Sequence, residues 1–258
     1  MSCLIVAGGG KFGKKALEFG IKNNYKIILI DNDPNCICAS DADYKFDNLN
    51  DFYSRINDVK AGKIVFLISD VSIITDLFLK LNPEYIIPVI PIHLLAYIIS
   101  DFLKQKKALN LISDSKSAFN FIEKANSKLI LSYNLDQGVV YLSYCKIDEI
   151  CPDNCVGPEK YCPNFKREKP VTITKYLQNY YQLTNHFRFI EDKSLTVIII
   201  GESYQLMGGL GGLKGSEIYN SLKKLENILD TFSNRKYTLI IATTCNCHGV
   251  INFYKQSP

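Results

Sequence analysis

Along residues 1–107, short apolar runs alternate with longer segments of helical periodicity. Residues 4–7 are unbroken apolar, a glycine cluster follows, and Ala16, Leu17 and Phe19 then recur at helical spacing before a second apolar run at 27–30. Residues 44–46 predict a short third strand and 50–59 a helix. Residues 63–69 (KIVFLIS) read as a buried parallel strand running into Asp70. Ile73, Ile74, Leu77, Phe78 and Leu81 mark a helix over 71–81, 85–90 is a further strand, and 92–104 the helix after it. Unbroken apolar runs are expected of strands covered on both faces. Their alternation with helices predicts an α/β fold built on a doubly wound parallel sheet.

The polar segment 104–110 places a boundary between a domain at 1–107 and a second, smaller α/β domain at 108–258. The second half predicts a helix at 115–125 and two antiparallel strands at 128–133 and 138–145. An irregular loop with four prolines follows, CPDNCVGPEKYCPNFKREKP, whose Cys-rich part is 151–163. Beyond it are a helix at 173–183, a strand at 196–200, the glycine-rich MGGLGGLKGS, a helix at 217–230 and a last strand at 237–242. That strand delivers the chain to Cys245-Asn246-Cys247-His248. There is no internal repeat and no low-complexity tract.

Gly8, Gly10 and Gly13 form G-x-G-x-x-G between the first strand and its helix, with Lys11 and Phe12 between them, and the second strand ends in Asp31, 18 residues after Gly13. The spacing suits a dinucleotide. The first glycine permits a sharp turn, the second brings backbone against a pyrophosphate, and the third lets helix and strand pack closely. The helix N-terminus offers N–H groups and partial positive charge to phosphates. Asp31 can accept from both ribose hydroxyls and repels a 2′-phosphate. With no Arg close behind it, NAD is expected over NADP. A packing-only turn, or a site for S-adenosylmethionine, is the competing reading. Residues 3–47 resemble the NAD-binding domain of the TrkA-N/RCK family in ending the second strand in an acid and placing a short strand next, here Tyr44-Lys45-Phe46-Asp47. Gly8-Gly9-Gly10 with Lys14 and Lys15 is also similar, more weakly, to precorrin-2 dehydrogenases. The resemblance implies a Rossmann-like fold and NAD binding, but not catalysis.

The chain has 258 residues, 47% hydrophobic and 22% charged, with a net charge of +4. This allows one large core or two smaller ones. Its lysines are scattered, which predicts no nucleic-acid partner. Met1-Ser2 leads directly into the first strand, so no signal peptide is expected. The apolar stretch 86–99 is broken by Pro88, Pro91 and His93, short of the ~20 apolar residues of a membrane span. A cytoplasmic protein with a small-molecule substrate is expected, with no membrane partner and with dimerisation left open.

Nine cysteines in such a compartment favour metal or redox chemistry over disulfides. Cys151, Cys155 and Cys162 lie in the proline-rich loop, where a metal would offset the ordering entropy of a segment with few apolar anchors. Cys145 is the local candidate for a fourth ligand, Cys245 or Cys247 the distant one. The Cys-Pro steps at 151 and 162 favour an iron–sulfur cluster over zinc. His248 is a candidate ligand or proton donor, and His93 a candidate acid/base at a strand end. Asp70, at another strand end, suits a cofactor contact or a helix cap. Gly209, Gly211, Gly212 and Lys214 are expected to cradle a phosphate or other anion between strand and helix, or to form a lid. Cys36, Cys38 and Cys3 are read as packing. The expected function is an NAD-binding oxidoreductase with a cysteine-ligated centre. The alternatives are an NAD(H)- or redox-sensing module with structural zinc, and a transferase using S-adenosylmethionine.

Overall fold

The computed structural model describes residues 2–107, 110–191, 195–232 and 235–257. The fold is mixed α/β, in two compact units: residues 1–92 with 204–219, and residues 93–203 with 220–258. This division differs from a cut after residue 107. Residues 108 and 109, where the polar pattern puts the boundary, lie outside the described residues.

In the first unit, β1 (Cys3–Ala7), α1 (Lys11–Lys22) and β2 (Lys26–Asp31) follow one another, then β3 (Tyr44–Phe46), α2 (Leu49–Arg55), β4 (Ile64–Ile68), α3 (Ile74–Leu81) and β5 (Tyr85–Pro88). The five strands are parallel in the order β3-β4-β2-β1-β5. The chain therefore steps outward from β1 to β2 and on to β3 at the edge, turns back to place β4 between β3 and β2, and then crosses to the other side of β1 as β5. Leu4, Val6, Ile27, Leu29, Ile64 and Phe66 share one core with Ala16 and Leu17 of α1. Ile5, Ile28, Val65 and Ile86, on the opposite face, are equally buried. Burial of both faces is why these strands read as unbroken apolar runs. Side chains fix the helix starts: Asn48 accepts from the N–H groups of Asn50 and Asp51 ahead of α2, and Asp70 accepts from Ser72 N–H, 2.8 Å, ahead of the turn into α3.

The second unit contains α4 (Leu94–Lys107), β6 (Leu111–Ser113), α5 (Ser115–Lys124), β7 (Ile130–Asn134), β8 (Val139–Ser143), β9 (Tyr161–Cys162), β10 (Arg167–Glu168), α6 (Ile173–Tyr180), β11 (Phe187–Glu191) and most of β12 (Leu195–Met207). The chain then runs through β13 (Leu210–Lys214), which lies in the first unit, and α7 (Gly215–Phe232) to β14 (Tyr237–Thr244) and β15 (His248–Gln256). β12 and β14 are parallel, and β14, β15, β8 and β7 follow as antiparallel neighbours. β11 pairs with β12, and β6 with the end of β15. Val140 and Leu142 of β8 enter a core with Ile198, Ile240, Ile251 and Phe121, while Tyr141 between them is exposed. The helix expected at 92–104 joins this unit because its apolar face, Leu95, Ile98, Ile99 and Phe102, is buried and the helix packs on β14.

The anion loop expected at 208–216 is corrected. β12 and β13 are hydrogen-bonded neighbours joined by the two-residue turn Gly208-Gly209, with Gly209 at φ +74°. Gly211 and Gly212 are strand residues, and β13 pairs antiparallel with β5. A methyl on Gly212 would sit 2.6 Å from the Leu206 side chain, so glycine serves close packing there. Lys214 Nζ lies 3.9 Å over the Tyr204 ring. Among the described residues, no helix is long and apolar enough to cross a membrane.

Candidate functional site

In the first unit, Gly8 and Gly10 lie in the loop between β1 and α1, next to the carboxyl end of β5, and Gly13 is the third residue of α1. Gly8 has φ +113°, and a methyl there would meet the Val89 carbonyl oxygen at 2.7 Å. A methyl on Gly13 would lie 2.3 Å from the Gly8 oxygen, so Gly13 lets α1 approach the loop. Gly10 is different: nothing lies within 4 Å of a methyl placed on it. It precedes α1 in extended conformation, no side chain caps the helix, and no acid occupies its first turn. Lys11 and Phe12 open α1 as exposed residues, with Lys15 Nζ 5.7 Å from the Phe12 ring centre. Asp31 Oδ2 accepts from Gly9 N–H at 2.6 Å, and Oδ1 from Asp33 N–H at 2.9 Å. Each oxygen keeps a second lone pair. Cys36 packs on Gly9, and Cys38 N–H donates to the Gly9 oxygen, 3.0 Å.

In the second unit, β8 and β15 are neighbours with Ser143 opposite His248, which puts Cys145 beside His248. The loop after β8 returns Cys151 to the same place. Cys145 Sγ and Cys151 Sγ are 3.3 Å apart, and His248 Nε2 is 3.7 and 3.8 Å from them. All three donor atoms lie within 4.8 Å of one another. Two thiolates and an imidazole on one tetrahedral ion, with bonds of about 2.3 and 2.0–2.1 Å, stand about 3.5–3.8 Å apart. The observed separations are of that size. Burial, then the neighbouring Cys145, pushes the Cys151 thiol up to about 12. Burial, then Lys169, pushes His248 down from the ordinary imidazole range, which favours the neutral form that offers a lone pair. On the far side of the ring, Nδ1 is 3.8 Å from Cys245 Sγ, which also accepts from Cys247 and His248 N–H at 3.4 and 3.3 Å. Cys245 thus orients the ring from behind, as outer partners of ligand histidines do.

The structure does not bring every expected ligand together. Cys155 accepts from Gly157 N–H at 3.4 Å and stands outside the three-donor group. Cys162 is buried in the β9–β10 hairpin, opposite Arg167. Cys247 accepts at 2.9 Å from Lys169 Nζ, and Lys169 is only 2% exposed. Lys169 also donates to the Pro158 oxygen. Sequence reasoning missed this lysine, because a Lys in a polar loop reads as a surface residue.

The premise that the loop could not order itself is also corrected. Arg167 makes a two-pronged contact to Glu149, 2.7 and 2.8 Å, and donates to the Tyr144 oxygen. Asn246 Nδ2 donates to Gly157 oxygen at 2.7 Å, and Tyr144 hydroxyl to Val171 oxygen at 2.6 Å. The first amides of α6, Ile173 and Thr174, donate to the carbonyls of Asn246 and Cys245. These ties hold the loop against the 245–248 turn.

His93 belongs to the second unit, away from the acid/base role expected of it. Its Nδ1 is 2.6 Å from Asn252 Oδ1 and its Nε2 2.9 Å from Thr243 Oγ1, so both nitrogens are engaged. Burial pushes its pKa down to about 4, and at neutral pH it is an uncharged structural group. Asp70 is a cap for the turn into α3.

The family model AF_1314_C, described as an uncharacterized protein's C-terminal domain, matches residues 97–257. Its N-terminal counterpart, AF_1314_N, matches residues 3–94. A protein of Archaeoglobus fulgidus, described as an uncharacterized protein, is 27% identical over 257 residues, covering 98% of this chain and 99% of its own length. No solved structure matches the chain. These findings overturn the likeness to the TrkA-N/RCK family drawn from residues 3–47, and the weaker one to precorrin-2 dehydrogenases. A glycine turn between strand and helix, with an acid ending the next strand, is a local solution that unrelated lineages share. The chain belongs to the AF_1314 family, in both its N-terminal and its C-terminal domains.

Proposed function

We propose that this protein is an NAD-linked oxidoreductase whose second unit holds a single zinc-class ion on Cys145, Cys151 and His248. The observation that carries the metal half is the convergence of two thiol sulfurs and an imidazole nitrogen at the separations of one coordination sphere. It favours a single ion over the iron–sulfur cluster expected from the Cys-Pro steps. Each cysteine of a four-iron cluster binds a different iron, which keeps the sulfurs well beyond the 3.3 Å seen here. Three protein donors leave one corner of a tetrahedron for water or substrate, the pattern of catalytic rather than structural zinc. An ion so held supplies Lewis-acid polarisation of an oxygen.

The nucleotide half is supported by a doubly wound, Rossmann-like reading of the first unit. Its parallel order reverses at β1, where ligands bind in such sheets. Gly10 leaves open space beside an uncapped helix N-terminus, and Asp31 retains acceptor capacity for a ribose. NAD supplies hydride chemistry when bound. The test is anaerobic purification with zinc, iron and sulfide analysis, followed by calorimetric titration with NAD, NADP and S-adenosylmethionine. One zinc per chain without sulfide and binding of NAD are the expected results. Stoichiometric sulfide refutes the single ion, and binding of S-adenosylmethionine alone refutes the cofactor.

A further inference from the structure

Beside Cys145 the second unit opens into a cavity of about 590 Å³. That is the size of a small-molecule site. Leu129, Leu131 and Ile147 form its apolar wall, and Lys128 and Lys146 stand in its lining. Leu129 is buried, so the floor of the wall is fixed by the core. Ile147 is 78% exposed, a bulky apolar side chain left in water at the rim. Covering it takes apolar surface out of water, which favours an apolar ligand there.

The charges are asymmetric. Arg167, also in the lining, is consumed by its two-pronged contact to Glu149. Lys146 acts on the same Glu149, helping to hold that carboxyl low. Lys128 makes no ion pair within 4 Å among the described residues. Its backbone N–H is fixed by Asn126 at 3.1 Å, which sets where its side chain starts. Glu168 is the single acid in the lining. The cavity thus combines an apolar wall, an uncommitted cation and an edge formed by a residue of the three-donor group.

We propose that this cavity binds a small amphipathic anion, an apolar body of medium length ending in a carboxylate, with the body on Leu129, Leu131 and Ile147 and the carboxylate on Lys128. As the substrate class of the oxidoreductase it rests on the metal reading above, because Cys145 is shared by cavity and centre. As a binding site it stands on the cavity alone.

Calorimetry with octanoate as probe, against octylammonium and acetate, tests it on the protein as purified. Octanoate binds at least about tenfold more tightly than either control, a difference of about 1.4 kcal/mol. Lys128→Glu abolishes the preference for octanoate over octylammonium and Lys128→Arg keeps it. Ile147→Ser weakens octanoate without changing acetate. Both positions are exposed, so these variants fold. Equal affinity for the two charged probes, or octanoate binding untouched by Lys128→Glu and Ile147→Ser, overturns the proposal. Octanoate binding to protein that carries no metal supports the cavity while refuting the centre. A loaded centre with no octanoate binding refutes the cavity while leaving the centre intact.

Discussion

Gly10 and Gly13 look alike in sequence, and the structure gives them opposite surroundings. A methyl on Gly13 would stand 2.3 Å from the Gly8 oxygen and 3.2 Å from its carbonyl carbon, both backbone atoms. Ordinary contact needs about 1 Å more, so α1 must move off the loop. Overpacking of this kind costs about 1–3 kcal/mol, and the helix preference for Ala over Gly returns up to about 1. Gly13→Ala should therefore lose about 1–2 kcal/mol, or about 2–8 °C in Tm for a chain of this length. Gly10→Ala meets nothing within 4 Å. It loses the N-cap preference for Gly over Ala and gains a comparable amount from a stiffer unfolded chain. Its Tm should move by less than about 2 °C. Its affinity for NAD should nonetheless fall at least about tenfold, because the added methyl takes the space a pyrophosphate needs. Thermal and urea melts give the stabilities and calorimetry the affinities. A Gly10→Ala protein that binds NAD normally refutes the cradle. A Gly13→Ala protein with raised Tm refutes the packing argument.

Cys151→Ser or His248→Ala should each strip the ion from the protein, whereas Cys162→Ser, outside the three-donor group, should leave metal content per chain unchanged after gel filtration. His93 has a folded pKa of about 4, below its unfolded value of about 6.5. The unfolded chain therefore binds the proton first. Stability should fall as pH drops from 6.5 toward 4, and His93→Gln should flatten that part of a urea-midpoint profile. Glu149 is held down at about 2, chiefly by its hydrogen bonds from Arg167 and then from the Lys146 amide. Its contribution is present above the ordinary carboxylate range and lost as pH falls toward 2. In Arg167→Ala its titration, followed by NMR, should return toward the ordinary range. Asp31→Ala should lose both NAD affinity and stability, since Asp31 also ties down the N–H groups of Gly9 and Asp33. Loss of affinity at unchanged Tm would show that these two bonds contribute nothing.

The first unit was legible because its strands are buried on both faces, so 4–7, 27–30 and 63–69 carry runs that no exposed element would tolerate. β15 was not. His248 to Gln256 mixes buried Ile251 and Phe253 with Lys255, and its status depends on burial between β14 and β8, the latter distant in sequence. The 208–216 segment misled because glycines that admit a neighbouring side chain, as Gly212 admits Leu206, look the same as glycines that admit a phosphate. At the centre, the residue types were readable but their grouping was not. Cys145 and His248 meet because β8 and β15 are adjacent, and that register cannot be read from spacing. Lys169 was hidden for the same reason: its burial on Cys247 comes from the path of the loop, not from local sequence.

The central claim is one ion on two sulfurs and an imidazole. X-ray absorption at the metal edge of anaerobically purified protein tests it most directly. The expected first shell is two sulfurs at about 2.3 Å with nitrogen or oxygen at about 2.0–2.1 Å. A four-sulfur shell, or iron with a second iron close by, contradicts it.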